Sequence, residues 1–385
     1  MEPATSLGPD ASDSPWPLRL RPWVPAILGA VLVLAYLPSL GGAFLNYDDD
    51  WLVERNAVLG DSSPGALVKA WTDFDPQTRL ALGAEYLPLR DTLAWLELRL
   101  FGKNAPPMRV LSLLLFLAGA LLLRRYLLHA LGGGLAAEAA AWLFALHPVH
   151  AESVAWIAGQ KDLLALLFVA AALLAYAGSS RRRALLVPAL VALACLGKAV
   201  AVVAPVLFLA HDLLVRRRPD VRVLVPSFAV ALAAAAVHGW VGHLVGMVAE
   251  PLGGSRLAAF VSMGPAWWEY LARSLVPTGL SIVHDPPMGS ATDVLGWLAV
   301  ANLVALGAVA ALRWRAGDRR PLIFLAWFLV PLAPTYRDEL GLSPLELDEK
   351  LAEIFEASAR ARPLGLALAE SLDAAAKVLA HSARA

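Results

Sequence analysis

The chain has 385 residues, 58% of them hydrophobic and 17% charged, with 32 basic and 32 acidic side chains. A mean hydropathy of +0.61 excludes an ordinary soluble domain and points to an all-α, polytopic membrane protein. The balanced charge argues against a nucleic-acid partner, and the single cysteine, Cys195, excludes an intrachain disulfide and any cysteine-based metal cluster.

Residues 1–18, rich in Pro, Ser and Asp, read as a disordered head without the basic start of a cleavable signal, so the first span is expected to stay as an anchor. That span is expected from Trp23 to Leu40, and Arg19 and Arg21 before it stay cytoplasmic by the positive-inside rule. The chain then emerges as Phe44-Leu45-Asn46-Tyr47-Asp48-Asp49-Asp50-Trp51. Each of these carboxylates would cost roughly 2.5–3.5 kcal/mol inside a bilayer, so the cluster should stand in water just above it. Mutual repulsion should raise at least one pKa toward the range useful to a proton acceptor. Taken alone, the motif is also what a solvated acidic loop ending a helix would show.

Residues 41–108 form a long extracytoplasmic loop. Within its stretch 85–101, Leu89, Leu93, Leu96 and Leu100 recur at helical spacing, which predicts a helix lying in the membrane surface. Further spans are expected at Val110–Leu128, Leu135–Leu146 and Leu163–Tyr176. The apolar run from Ala184 to Leu214, interrupted at Gly197-Lys198, has basic triplets at both ends. As one helix it would be about 46 Å long against a core of roughly 30 Å, so it should fold as a hairpin with Lys198 near its tip. Val221–Trp240 rises again, and Trp267–Arg273 suggests a re-entrant or surface segment. Val294–Leu312 and Leu322–Pro334 complete a scheme of about nine spans in which every basic cluster falls on one side. The 13 tryptophans suit two membrane–water interfaces. Residues 337–385 read as a helical tail with no run long enough to span, leaving 19–336 as the membrane domain.

Two clusters arrive on the extracytoplasmic face, Asp48–Asp50 and His147-Pro148-Val149-His150-Ala151-Glu152. A group transfer from a membrane lipid needs a base and a cation for the leaving phosphate. The carboxylates could supply the base; His147, His150 and Glu152 could orient an acceptor, cap a helix end, or join an Asp around a divalent cation. The metal requirement stays open. Lys198 is the candidate cation, with few bland explanations for a lysine among so many apolar neighbours. Arg90 is a weaker one, and Lys161-Asp162 reads equally well as a helix-start ion pair.

The strings Phe44–Trp51, Tyr86-Leu87-Pro88-Leu89, and Phe144-Ala145-Leu146-His147-Pro148-Val149-His150-Ala151-Glu152-Ser153-Val154-Ala155-Trp156 with Lys161-Asp162, in this order and spacing, resemble one family. It is the transmembrane and tetratricopeptide-repeat O-mannosyltransferase-like family with its bacterial relatives. Gly197-Lys198 and Phe324–Pro334 fit the same pattern, over roughly residues 25–334. The resemblance implies a GT-C-like glycosyltransferase of the bacterial inner membrane. Its donor would be a polyprenyl- or dolichyl-phosphate sugar, mannose-like, and its acceptor a hydroxyl on a protein or glycan. Carried over by position, Asp48 and Asp49 would be catalytic. Asp50, Arg90, His147, His150, Glu152, Lys161, Asp162 and Lys198 would contact substrate. After Pro334 the sequence leaves the family pattern, and the tetratricopeptide repeats do not follow. A non-catalytic scaffold or a transporter that kept the architecture is the alternative.

Overall fold

The computed structural model describes residues 16–17, 19–45, 48–180, 182–216, 218–246, 255–278 and 290–332. Most of the expected head and the whole tail at 337–385 lie outside these residues.

The described residues form an all-α polytopic membrane protein. Five helical segments are long and apolar enough to cross a bilayer, namely Arg21–Ser39, Ala105–Ala130, Gln160–Ala177, Val221–Leu244 and Val294–Arg315. Shorter apolar helices, Gly134–Leu146, Arg183–Gly197 and Ala199–Val215, accompany them. Among the described residues, several of the expected apolar runs fold into helices shorter than a bilayer.

In chain order the helices are α1 (Val24–Tyr36), α2 (Pro64–Thr72), α3 (Pro76–Ala81), α4 (Pro88–Phe101), α5 (Ala105–Ala130), α6 (Gly134–Leu146) and α7 (Ala151–Ala155). They continue as α8 (Gln160–Ala177), α9 (Arg183–Gly197), α10 (Ala204–His211), α11 (Val221–Leu244), α12 (Arg256–Leu275), α13 (Val294–Arg315) and α14 (Arg320–Leu332). Proline early in the first turn starts α2 to α5, where its missing N–H costs nothing. Gly132, Gly133 and Gly134, all at positive φ, reverse the chain between α5 and α6.

Helices α5, α8, α9 and α11 pack in succession around a core that includes Tyr126, Leu173, Tyr176, Val191 and Phe208. Lipid tails are as apolar as leucine, so this packing rests on close fit rather than on water exclusion. Small residues supply the fit. A Cβ on Gly119 would meet Leu166 Cγ at 2.8 Å, and one on Gly197 would meet Leu164 Cβ at 3.0 Å.

The run from Ala184 to Leu214 doubles back. After α9 the backbone opens at Lys198, with φ −156° and ψ 134°, then returns through a 3-10 turn at Ala199–Val203 and α10. Arg183 pairs with Asp220, which brings the two ends of the hairpin together.

Two elements carry detail that the sequence spacing did not give. Helix α4 buries Arg90, Asp91, Ala94, Glu97 and Leu98, while Leu96 and Leu100 are exposed. Its polar face turns inward and two of its leucines outward, the reverse of a helix on a soluble core. The segment around Trp267–Arg273 belongs to one 20-residue helix, α12, whose buried half crosses α13. At that crossing a Cβ on Gly296 would meet Val261 Cγ1 at 2.5 Å.

Candidate functional site: carboxylates and lysines at one end of the bundle

The acidic cluster sits on a short π-helical turn, Asp49–Glu54, rather than in an extended loop, and this sends its three carboxylates in different directions. Asp49 is fully buried. Its Oδ1 accepts from the Ala158 amide at 2.7 Å and its Oδ2 from the Leu45 amide at 3.1 Å. Burial raises its pKa against those bonds. Asp50 turns away and pairs with the exposed Arg55. Asp48 is half-buried and accepts from Trp51 Nε1 at 3.1 Å. Burial lifts its pKa, while the Trp51 bond and the charges of Lys161 and Arg90 pull the other way.

A buried arginine completes the seating of this turn. Arg109 of α5 donates from Nε to the Ala155 carbonyl at 2.8 Å and from its two other nitrogens to the carbonyls of Gly42 and Ala43. The first loop is therefore held to α5, and to the connection around α7, by two buried charged side chains, Asp49 and Arg109.

The rest of the site converges on Glu85. Helix α3 ends in two residues at positive φ, Gly83 (φ 85°) and Ala84 (φ 58°), which turn the chain sharply just before it. Glu85 Oε2 accepts from Lys161 Nζ at 3.1 Å, from the first turn of α8, and from Arg90 Nη1 at 3.2 Å, from α4. Burial penalises this carboxylate, but Lys161, Arg90 and Lys198 together hold its pKa below the usual range. Lys198, at the hairpin tip, pairs with Asp162 beside Lys161. The structure thus brings Asp48, Arg90, Lys161, Asp162 and Lys198 to one end of the bundle.

The cations differ in freedom. Arg90 is buried and held by Asp91 at 2.7 Å and by the Leu82 carbonyl. The side chains of Lys161 and Lys198 keep 20% and 26% of their surface exposed, and each has a single carboxylate partner among the described residues. Partly exposed ion pairs are worth little, so a phosphate oxygen could replace either carboxylate at small cost.

His147 and His150 lie elsewhere. His150 packs between Phe116 and Phe144, with ring centroids 5.1 and 4.5 Å away, at the end of the α1–α5–α6 core. Burial pushes its pKa down to about 4, so the ring is neutral near pH 7. His147 Nδ1 accepts from the Val149 amide at 3.2 Å, a helix-capping bond. Glu152 is exposed in the first turn of α7. Among the described residues no three His, Cys, Asp or Glu side chains gather as metal ligands. His238 bonds the Cys195 carbonyl at 3.2 Å and lies near enough to Glu85 for their charges to interact, which draws α11 up to the hairpin tip.

Sequence reasoning passed over Glu85, Arg109 and Glu97. Charged residues beside apolar runs were the available signal, the same one that picked out Lys198.

No family model matches the chain, and no solved structure matches it. It is similar to protein O-mannosyl-transferase F38B6.6 of Caenorhabditis elegans, 29% identical over 154 residues that make up 38% of this chain and 22% of that protein. It is also similar to protein O-mannosyl-transferase TMTC4 of Homo sapiens, 29% identical over 177 residues, 41% of this chain and 23% of that one. The similarity thus spans under a quarter of either relative's length.

Proposed function

We propose that this chain is a GT-C-type glycosyltransferase of a cell membrane, bacterial and multi-pass, that moves a mannose-like sugar from a polyprenyl- or dolichyl-phosphate to a hydroxyl acceptor. The acceptor is a protein Ser or Thr by preference, and the reaction faces the extracytoplasmic side. The similarity to two proteins named O-mannosyl-transferases supports the chemistry. The observation that carries the site is the meeting of Asp48 with Lys161 and Lys198 around Glu85, where α8 begins and the hairpin turns.

In this mechanism the Asp48 carboxylate takes the proton of the acceptor hydroxyl as that oxygen attacks the anomeric carbon. The bond from that carbon to the phosphate oxygen breaks, its electron pair staying on the phosphate. When the donor binds, its phosphate replaces Glu85 and Asp162 as the partner of Lys161 and Lys198, so both cations already face the oxygens on which charge develops. Electrostatic stabilisation placed in advance costs no reorganisation of solvent as the reaction proceeds. Asp49, Arg90 and Arg109 hold these groups in place and touch no reacting atom. Placement of Lys198 at the hairpin tip, between two apolar helices, suits a donor whose phosphate sits at the interface and whose polyprenyl tail stays in lipid.

The test is transfer from a radiolabelled polyprenyl-phosphate mannose in proteoliposomes. Asp48→Asn should lower the rate by about 10²–10⁴-fold at unchanged protein level, the usual worth of a positioned base. Full turnover in that variant would leave the non-catalytic scaffold as the better account.

A further inference from the structure

Helix α8 runs from Gln160, beside Asp162 and Lys198, to Ala177. Its 18 residues span about 27 Å, close to the thickness of a hydrocarbon core. The far end of the bundle carries its own charged feature, which the proposed transfer does not use. The first turns of α9 and α11 meet there in a shallow, open cleft of about 350 Å³ lined by Arg183, Arg218, Pro219, Asp220, Val221 and Arg222.

Arg183 builds the frame of this cleft. It pairs with Asp220 and donates to the carbonyls of Tyr176 at 3.3 Å and Gly178 at 3.0 Å. Asp220 is fixed in turn, because its amide donates to Asp212 Oδ2 at 2.7 Å. Arg218 and Arg222 are exposed and have no carboxylate partner among the described residues. The lining therefore holds three guanidinium groups against one carboxylate, and the start of α11 adds the positive end of its dipole. Beside this polar rim the bundle surface is bare and apolar, with Leu185 82% and Leu186 48% exposed on α9, and Val221 63% and Val225 64% exposed on α11.

We propose that this cleft binds the phosphate of an anionic phospholipid headgroup, with the acyl chains lying along Leu185 and Val225. Guanidinium forks match phosphate oxygens geometrically, and the apolar surface directly beside the cleft selects a lipid over a free anion. The site stands on the opposite end of the bundle from Asp48 and does not depend on the glycosyltransferase reading.

The experiment is native mass spectrometry of the full chain from mixed micelles of phosphatidylcholine and phosphatidylglycerol, with melting temperatures in phosphatidylcholine nanodiscs with and without phosphatidylglycerol. The wild-type chain should retain phosphatidylglycerol preferentially and melt higher in its presence. Arg218→Gln with Arg222→Gln should cut that retention about tenfold and abolish the shift, while Arg313→Gln with Arg315→Gln should leave both as they are. Equal retention by the first pair of changes would overturn the proposal, as would equal loss in the second pair. If inorganic phosphate in pure phosphatidylcholine nanodiscs gives the same shift, the site takes a free anion and the lipid assignment fails.

Discussion

Asp49 Oδ1 takes the backbone amide of Ala158, 109 residues further along the chain, at 2.7 Å. With Oδ2 on the Leu45 amide, this carboxylate ties the first loop to the start of α8, and its neighbour Asp48 is left beside the lysines. The two aspartates should therefore fail differently. An Asn at 49 can present only one oxygen to two amides, and leaving a buried donor unpaired costs about 1–3 kcal/mol. Asp49→Asn should lower the melting temperature in detergent, and Asp48→Asn should leave it unchanged while transfer collapses. Equal melting temperatures for the two variants would remove the division of roles.

The proposed base carries a pH signature. Burial raises the Asp48 pKa, and the hydrogen bond from Trp51 Nε1 opposes the rise. A base works only when deprotonated, so the acid limb of the rate profile should sit above the ordinary aspartate range. Trp51→Phe removes the opposing bond, and the limb should then move to higher pH. A transfer profile that is unmoved in this variant would exclude Asp48 as the titrating group.

Much of this arrangement was legible in the sequence. The basic triplets around Ala184–Leu214 implied a hairpin, and its ends do meet, at Arg183 and Asp220. The Asp48–Asp50 cluster and Lys198 were visible because charge is expensive near lipid. What periodicity could not give was the inward face of α4. Apolar spacing marks the buried side only where the surroundings are water, and at a membrane surface Leu96 and Leu100 can face lipid while Arg90, Asp91 and Glu97 go inside. The partners of Asp49 were equally hidden, because a bond across 109 residues leaves no local pattern.

Glu97 offers a stability test free of any assumption about activity. It is fully buried between α4, α5 and α8, its Oε1 accepts from Gln160 Nε2 at 2.8 Å, and its Oε2 has no partner among the described residues. Burial pushes its pKa up to about 7. In the unfolded chain the same group titrates near 4.3. The folded state therefore binds the extra proton between those two values, and stability should fall as pH rises across that window and level off above it. The full difference is on the order of 3 kcal/mol. Glu97→Gln keeps an acceptor for Gln160 and cannot ionise, so its melting temperature should lose this decline between pH 5 and 8. A decline of the same size in the variant would place the titrating group elsewhere.

Lys198 and Asp162 provide the test of the phosphate site itself. Their side chains are 26% and 36% exposed, so the pair contributes little to stability and can exchange. If the donor phosphate displaces Asp162 from Lys198, the carboxylate competes with the ligand. Asp162→Asn should then tighten binding of a polyprenyl phosphate by several-fold, while Lys198→Met should weaken it by about tenfold, a change of ~1.4 kcal/mol. The two effects should not add. With Lys198 gone Asp162 has nothing to compete for, so the double variant should bind like Lys198→Met alone, with a coupling energy of about 0.5–3 kcal/mol in a double-mutant cycle. Binding can be followed by titrating the phosphate into the detergent-solubilised protein and reading tryptophan fluorescence. Additive effects would mean that Asp162 and Lys198 act on the ligand independently, and the displacement step would be wrong.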